Sequence, residues 1–223
     1  ILELSNYDDG LWWVQNFSSM IPIKYGVSIE NKSILDLCAA PGGKSFQVMS
    51  KNKNIVLNDI SKTRIKILKE NLKRLNFSSK IENYNALNFP DKKKYDIILL
   101  DAPCSSIGTI RKNPEIFFKN KSPNFIKLNS TQENLLNKSS KLLNPGGVII
   151  YMVCSFFLSE TMDPVEKFLS KNSNFSILNY KKIPDDLKNN SFFHENKFFF
   201  TLPKIYKNYK IDGFFSIQLL KND

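Results

Sequence analysis

Four short apolar runs, over residues 33–37, 55–57, 95–100 and 148–153, alternate with stretches whose apolar residues recur at helical spacing. The run Tyr95-Asp96-Ile97-Ile98-Leu99-Leu100 has almost no polar side. A strand of that kind is stable only where both faces of its sheet are covered. Buried strands alternating with helices predict an α/β fold: a doubly wound, mostly parallel sheet with helices on both faces.

The connecting segments fit that frame. Residues 44–50 open a helix, and Ser61 is a good N-cap for a second over 62–75, where Ile65, Leu68, Leu72 and Leu75 share a face. Residues 125–143 read as a helix stopped by Asn144-Pro145-Gly146-Gly147, and 161–170 as another with Val165, Phe168 and Leu169 on one side. Short strands are expected at 80–84 and 175–178. Residues 102–121 have no period and read as an irregular loop, and the Asn- and Lys-rich stretch 179–197 as an exposed polar insertion. Near the C-terminus, 198–202 and 214–220 are expected to pair antiparallel at the end of the sheet.

Hydrophobic residues make up 42% of the 223, enough for one domain with a sizeable core and too many for a disordered or fibrous chain. No internal repeat or linker divides it. It opens in mid-pattern at Ile1-Leu2-Glu3-Leu4 without Met, so a further N-terminal portion is expected. Residues 1–32 read as the remnant of an N-terminal lead-in segment and 33–223 as the domain proper. No apolar run approaches the roughly 20 residues that span a bilayer, and no secretory signal pattern is present. Cys38, Cys104 and Cys154 are odd in number and lack CxxC spacing, which supports neither a disulfide framework nor a metal site. Free thiols fit a reducing cytoplasm.

Lys and Arg total 32 against 21 Asp and Glu, a net charge of +11. Such a surplus favours a polyanionic partner through counterion release. A coding bias toward Lys, Asn, Ile and Phe would produce the same excess, and only Arg64, Arg74 and Arg111 are arginines. Lys92-Lys93-Lys94 reads as a solvated turn rather than an RNA clamp.

The turn Cys38-Ala39-Ala40-Pro41-Gly42-Gly43-Lys44-Ser45 ends like a phosphate loop, but the first glycine that loop needs would fall at Cys38. A GxGxxG fingerprint is also absent. What remains is a tight strand-to-helix turn and, at the next strand end, Asp59, whose carboxylate can accept both hydrogen bonds of a ribose diol. That pair suits S-adenosylmethionine, which carries a ribose and no phosphates. Lys44 is placed to contact an anion or a base carbonyl, or simply to cap the turn. His194 is the only histidine and lies in the polar stretch, so a histidine triad has little support.

Cys104, in Asp101-Ala102-Pro103-Cys104-Ser105, and Cys154, in Val153-Cys154-Ser155, each follow an apolar run and precede a serine. Buried cysteine is usually a small hydrophobe. Two at the strand ends where open α/β sheets bind ligands suggest chemistry instead. A thiolate can add to an electron-poor ring carbon, and a second thiol can assist the reversal. Cys38, beneath the turn, reads as packing.

The segments 35–44, 101–105, 153–155 and Asp212-Gly213-Phe214-Phe215, in that order, resemble the Sun/Fmu-type RNA cytosine-C5 methyltransferases, whose bacterial members modify 16S ribosomal RNA. Gly10-Leu11-Trp12-Trp13-Val14-Gln15-Asn16 is similar to a segment that leads into that family's domain. The resemblance implies a class I S-adenosylmethionine-dependent methyltransferase of Rossmann-like fold over 33–223. It implies methyl transfer to C5 of a cytosine through a covalent cysteine–C6 adduct. Cys38, Ala39, Ala40, Pro41, Gly42, Gly43, Lys44, Asp59, Asn85 and Asp101 would bind S-adenosylmethionine, and Lys44 and Asp101 would also border the cytosine. Cys154 would be the nucleophile, with Cys104 assisting product release. The partner would be ribosomal RNA or a ribosomal-subunit particle, and the protein a cytoplasmic monomer without metal or membrane association.

Four positions depart from the pattern: Asn16 and Asn85 replace aspartates, Val153 a threonine, and Thr161 an asparagine after Glu160. A DNA cytosine-C5 enzyme would use the Pro-Cys cysteine alone, and Cys154 argues against it. An RNA-binding scaffold that kept the fold without turnover is the alternative of a different class.

Overall fold

The computed structural model describes residues 4–118 and 123–222. In chain order the elements are α1 (Phe17–Tyr25), β1 (Ile34–Asp36), α2 (Gly43–Met49), β2 (Ile55–Asn58), α3 (Lys62–Arg74), β3 (Lys80–Glu82), β4 (Tyr95–Asp101), α4 (Phe125–Leu142) and β5 (Leu143–Val153). There follow α5 (Met162–Lys171), β6 (Phe175–Ile177), α6 (Asp185–Asn189), β7 (Phe193–His194), β8 (Phe198–Thr201), β9 (Lys204–Tyr206), β10 (Tyr209–Ile211) and β11 (Phe214–Lys221). The main sheet runs β3-β2-β1-β4-β5-β11-β8-β7, with β6 also paired to β11. Pairings from β3 to β5 are parallel, and those of β11 with β5, β6 and β8 are antiparallel.

Alternation along the buried strands divides the core into two layers. Ile34, Ile97, Leu99, Ile150 and Met152 face α1, α2 and α3, whereas Leu35, Ile98, Leu100, Ile149 and Tyr151 face α4 and α5. The expected doubly wound sheet is therefore the observed one. Ser61 caps α3 as expected, its hydroxyl accepting the Arg64 N–H at 3.3 Å.

Three local expectations are corrected. The Asn144-Pro145-Gly146-Gly147 segment does not separate helix from strand: α4 ends at Leu142 and β5 begins at Leu143. Those residues form a bulge, because Tyr95 pairs with Leu143 while Ile97 pairs with Val148. The Asn144 amide donates to Asp96 Oδ1 at 2.9 Å within it. Residues 179–197 are not an exposed insertion. Tyr180, Ile183, Leu187, Phe192 and Phe193 are buried in the core, and the Tyr180 hydroxyl meets Ser216 Oγ at 3.1 Å. Within the expected loop at 102–121, of which 119–121 fall outside the described residues, Ile107–Thr109 and Pro114–Phe118 are 3-10 turns.

Residues before β1 join the same core: Ile21, Ile23 and Ile29 are buried with the α2 and α3 residues. Asn16 caps α1, accepting the Ser18 N–H at 2.9 Å. Arg74, at the end of α3, donates to the carbonyls of Tyr7 and Trp12 at 2.6 and 3.1 Å.

Candidate active site

The carboxyl ends of β1, β2, β4 and β5 lie side by side, and each delivers one group that the sequence singles out. Open parallel sheets bind ligands at this edge. After β1 the chain turns through residues 38–42 into α2. Gly42 has φ +116, and a Cβ there would lie 2.1 Å from the Phe46 ring, so both conformation and packing require glycine. Asn58 ties the neighbouring ends together: its amide donates to the Leu37 and Tyr84 carbonyls at 2.9 and 3.2 Å.

A cavity of about 220 Å³ opens above the turn, lined among others by Asp36, Cys38, Ala39, Ala40, Pro41, Gly43, Lys44, Arg64 and Asp101. Gln15 and Asn16, from the segment before α1, close its other side. Asp59 and Asn85 do not line it. The Asp59 carboxylate is turned inward, accepting the N–H groups of Ala40 at 3.1 Å and Ser61 at 2.9 Å, with the Arg64 guanidinium 3.6 Å away. Asn85 is exposed, and its side-chain oxygen accepts the Leu87 N–H at 3.1 Å.

Lys44 Nζ lies 2.6 Å from Asp101 Oδ2 and 5.2 Å from the centre of the Phe214 ring. Burial alone would lower the ammonium's pKa, but the adjoining Asp101 carboxylate outweighs it and holds the pKa above its ordinary value. Beyond this pair, Cys104 Sγ and Cys154 Sγ are 3.3 Å apart, and Cys154 Sγ is 3.4 Å from Ser106 Oγ. The two thiols divide the proton unequally. A hydrogen bond from Cys104 lowers the pKa of Cys154, helped by Ser106 and Lys44 against burial and Asp101. The bond to Cys154, with burial, pushes Cys104 well up. Cys154 is thus the sulfur favoured as thiolate, with Cys104 as its donor. Burial pushes Cys38 up strongly, as a packed thiol should behave.

Two carboxyl groups escaped the sequence reading. Asp36 interrupts the first apolar run, and that interruption was its only signal. It is buried; Oδ2 accepts the Ser45 hydroxyl at 2.6 Å, while Oδ1 has no partner. Burial pushes its carboxyl up to about 7, with Ser45 and Lys44 opposing and Asp101 adding to the rise. Glu160 is fully buried beneath the cysteines. Its Oε1 accepts the Ser105 N–H at 2.6 Å, and its Oε2 accepts the hydroxyls of Ser105 at 2.5 Å and Ser155 at 2.6 Å. One carboxylate thereby fastens the residues that follow both cysteines. The repeated Cys-Ser was a trace of this arrangement, but nothing in the sequence pointed to the shared acceptor.

A third strut comes from the turn before β11. Gly108 N–H donates to the Cys154 carbonyl at 3.0 Å, and Gly213 N–H to the Gly108 carbonyl at 2.8 Å. Together these features form a cavity with a buried carboxylate, a lysine–carboxylate pair at its lip and a polarised thiol pair beside it. Such a site can bind a cationic ligand and present a nucleophilic sulfur to a second substrate.

A family model described as 16S rRNA methyltransferase RsmB/F matches residues 27–220. Ribosomal RNA small subunit methyltransferase B of Photorhabdus laumondii is 33% identical over 175 residues, covering 76% of this chain and 41% of the relative. The protein of the same name from Vibrio vulnificus is likewise 33% identical, covering 76% and 41%. This chain therefore spans less than half the length of the curated relatives it matches. Among solved structures, NSun6 from Pyrococcus horikoshii with SFG has a TM-score of 0.82 at 26% identity, covering 100% of this chain and 56% of that one. The fold is the class I methyltransferase fold, with antiparallel strands added at its C-terminal side. By its sequence over nearly the whole domain, the chain is a member of the 16S rRNA methyltransferase RsmB/F family.

Proposed function

We propose that this chain transfers a methyl group from S-adenosylmethionine to C5 of a cytosine in RNA, within 16S rRNA, and that Cys154 is the nucleophile. The observation that carries the reading is the thiol pair at 3.3 Å, set beside the Lys44–Asp101 pair at the cavity lip.

The residues present fit the cofactor. S-adenosylmethionine is cationic at its sulfonium and amino groups, and the orphaned Asp36 Oδ1 beside the turn is a buried acceptor suited to positive charge. The turn from Cys38 to Lys44, with Asp101, would line its site. Asp59 would take the ribose hydroxyls once the Arg64 side chain swings aside, and Asn85 would border the adenine. A relative of the same fold was solved with SFG, an S-adenosylmethionine analogue. Bound there, the cofactor supplies an electrophilic methyl group. Residues 33–223 would form the catalytic domain, with 1–32 leading into it.

Cytosine C5 is too weak a nucleophile to take that methyl group unaided. The Cys154 thiolate forms a bond to C6, and the ring's C5–C6 electrons move so that C5 becomes enamine-like. Negative charge develops at N3 and O2 as the thiolate adds, and the Lys44 ammonium, held in place by Asp101, donates to the ring there and stabilises it. After C5 gains its methyl group it must lose its proton before the sulfur–C6 bond can break. Cys104 is suited to assist. Its pKa is held up first by its bond to Cys154, and that bond is lost once Cys154 is attached to carbon.

The cysteines should therefore fail differently. With labelled S-adenosylmethionine and ribosomal RNA, the wild-type chain yields 5-methylcytosine. Cys104→Ala accumulates a gel-stable protein–RNA adduct, and Cys154→Ala gives neither product nor adduct. Trapping by Cys154→Ala alone would assign the nucleophile to Cys104.

A further inference from the structure

The mechanism leaves unused a shallow pocket lined by Arg111, Pro203, Lys204, Ile205 and Lys210. Three of its five lining residues are cations, and none is a carboxylate. Its walls come from two segments distant in sequence: the stretch after the 3-10 turn Ile107–Thr109, and the β9–β10 hairpin.

Both walls are tied to the nucleophile's loop. Arg111 lies three residues beyond Gly108, whose N–H holds the Cys154 carbonyl. The hairpin ends at Ile211, and the next residues are Asp212 and Gly213, the latter bonded to Gly108. Asp212 is buried and sets the position of Arg111, accepting one guanidinium N–H at 3.0 Å. Four N–H donors of that guanidinium remain for a ligand. Asp212 also pairs with Lys112 at 2.8 Å. Lys204 packs its ammonium 4.3 Å from the centre of the Phe192 ring, which fixes its stem against the core. Lys204 and Lys210 have no carboxylate partner among the described residues. Ile205 stands across from Lys210 on one face of the hairpin and is 69% exposed, which gives the pocket an apolar wall.

A concave surface lined by three cations and no carboxylate, with Pro203 and Ile205 as apolar walls, matches a sugar–phosphate backbone. We propose that the Arg111–Lys204–Lys210 pocket binds a backbone phosphate of the RNA strand near the cytosine to be modified. Gripping the strand there holds its path while the target base is turned out of its stack toward Cys154. The inference rests on the RNA reading above and adds a specific anchor for the strand.

The test compares two double variants in filter binding to 16S rRNA across a salt series. Lys204→Ala/Lys210→Ala should lower affinity about tenfold at 0.1 M salt and reduce the salt slope by about 1. Lys66→Ala/Lys69→Ala removes the same charge from the exposed face of α3 and should change affinity less than about twofold. Equal losses in both variants, or none in the first, would overturn the pocket as a specific site. A parallel NMR titration of the wild-type chain with a short oligoribonucleotide separates this proposal from the broader one. Shifts at Arg111, Lys204 and Lys210 without binding to 16S rRNA would keep the phosphate site and defeat the rRNA reading. Binding to 16S rRNA with those three signals unmoved would do the reverse.

Discussion

At the scale of single residues, Asp36 and Glu160 use burial in opposite ways. Asp36 keeps one oxygen without a partner and its carboxyl is pushed up to about 7, so part of the apo protein carries it protonated near neutral pH. Between about pH 4 and 7 the folded chain therefore holds a proton that the unfolded chain has lost, and the stability due to Asp36 declines as pH rises through that window. A cationic ligand reverses the preference. Cofactor affinity should be about tenfold weaker at pH 6 than at pH 8 and level off above about pH 8. Asp36→Asn should bind more weakly and lose that dependence. Calorimetry across pH checks both, and an unchanged pH profile in Asp36→Asn would place the cofactor's charge elsewhere. Glu160 has every oxygen engaged. Replacing it by Gln keeps an acceptor for the Ser105 N–H but exchanges charge-assisted hydrogen bonds for neutral ones, and should cost about 1–2 kcal/mol in urea denaturation. If Glu160 sets the sulfur separation, adduct yield per folded molecule should also fall, while cofactor affinity holds.

Among the elements, the buried strands were plain in the sequence because each is a continuous apolar run, and the core they build alternates as those runs require. The hairpins were not. The β9–β10 turn places Lys207 and Asn208 at φ +47 and +64, and the β7–β8 turn places Glu195 and Asn196 at +50 and +58. Both turns, of two residues in β9–β10 and three in β7–β8, use left-handed backbone without the glycine that usually betrays a hairpin. Helix α1 carries Pro22 inside it and has no clean polar face, so it too escaped notice. At the site, Asp101, Cys104 and Cys154 were legible as candidates because they sit at or just past the ends of apolar strands, and Lys44 because it follows the glycine turn into α2. Asp36 and Glu160 were not, since their roles depend on partners distant in sequence or on one missing partner. The turn that carries Gly108 is equally sensitive to contact. A Cβ at Gly108 would lie 2.1 Å from the Gly213 carbonyl oxygen and 2.9 Å from that of Cys154, both backbone atoms unable to step aside. Gly108→Ala should lower stability by about 1–3 kcal/mol and reduce adduct formation beyond that loss. Thermal unfolding paired with the trapping assay separates the two effects.

For the whole molecule, the net charge of +11 should appear as a salt-dependent grip on RNA. With about five single-stranded phosphate contacts, affinity should fall on the order of a hundredfold between 50 and 200 mM salt. A flat titration would make the surplus lysine purely compositional. A different constraint follows from the place of β11 in the sheet. It lies between β5 on one side and β6 and β8 on the other, yet it is synthesised after all three. Until residues 214–221 leave the ribosome, β5, the strand that leads into Cys154, has an open edge. The nascent chain must then keep an apolar, unpaired β5 from sticking to its neighbours. Maturation of the Cys154 loop is thus timed by the emergence of β11, and a chain stalled before Phe214 should be held by chaperones or aggregate rather than wait half-folded.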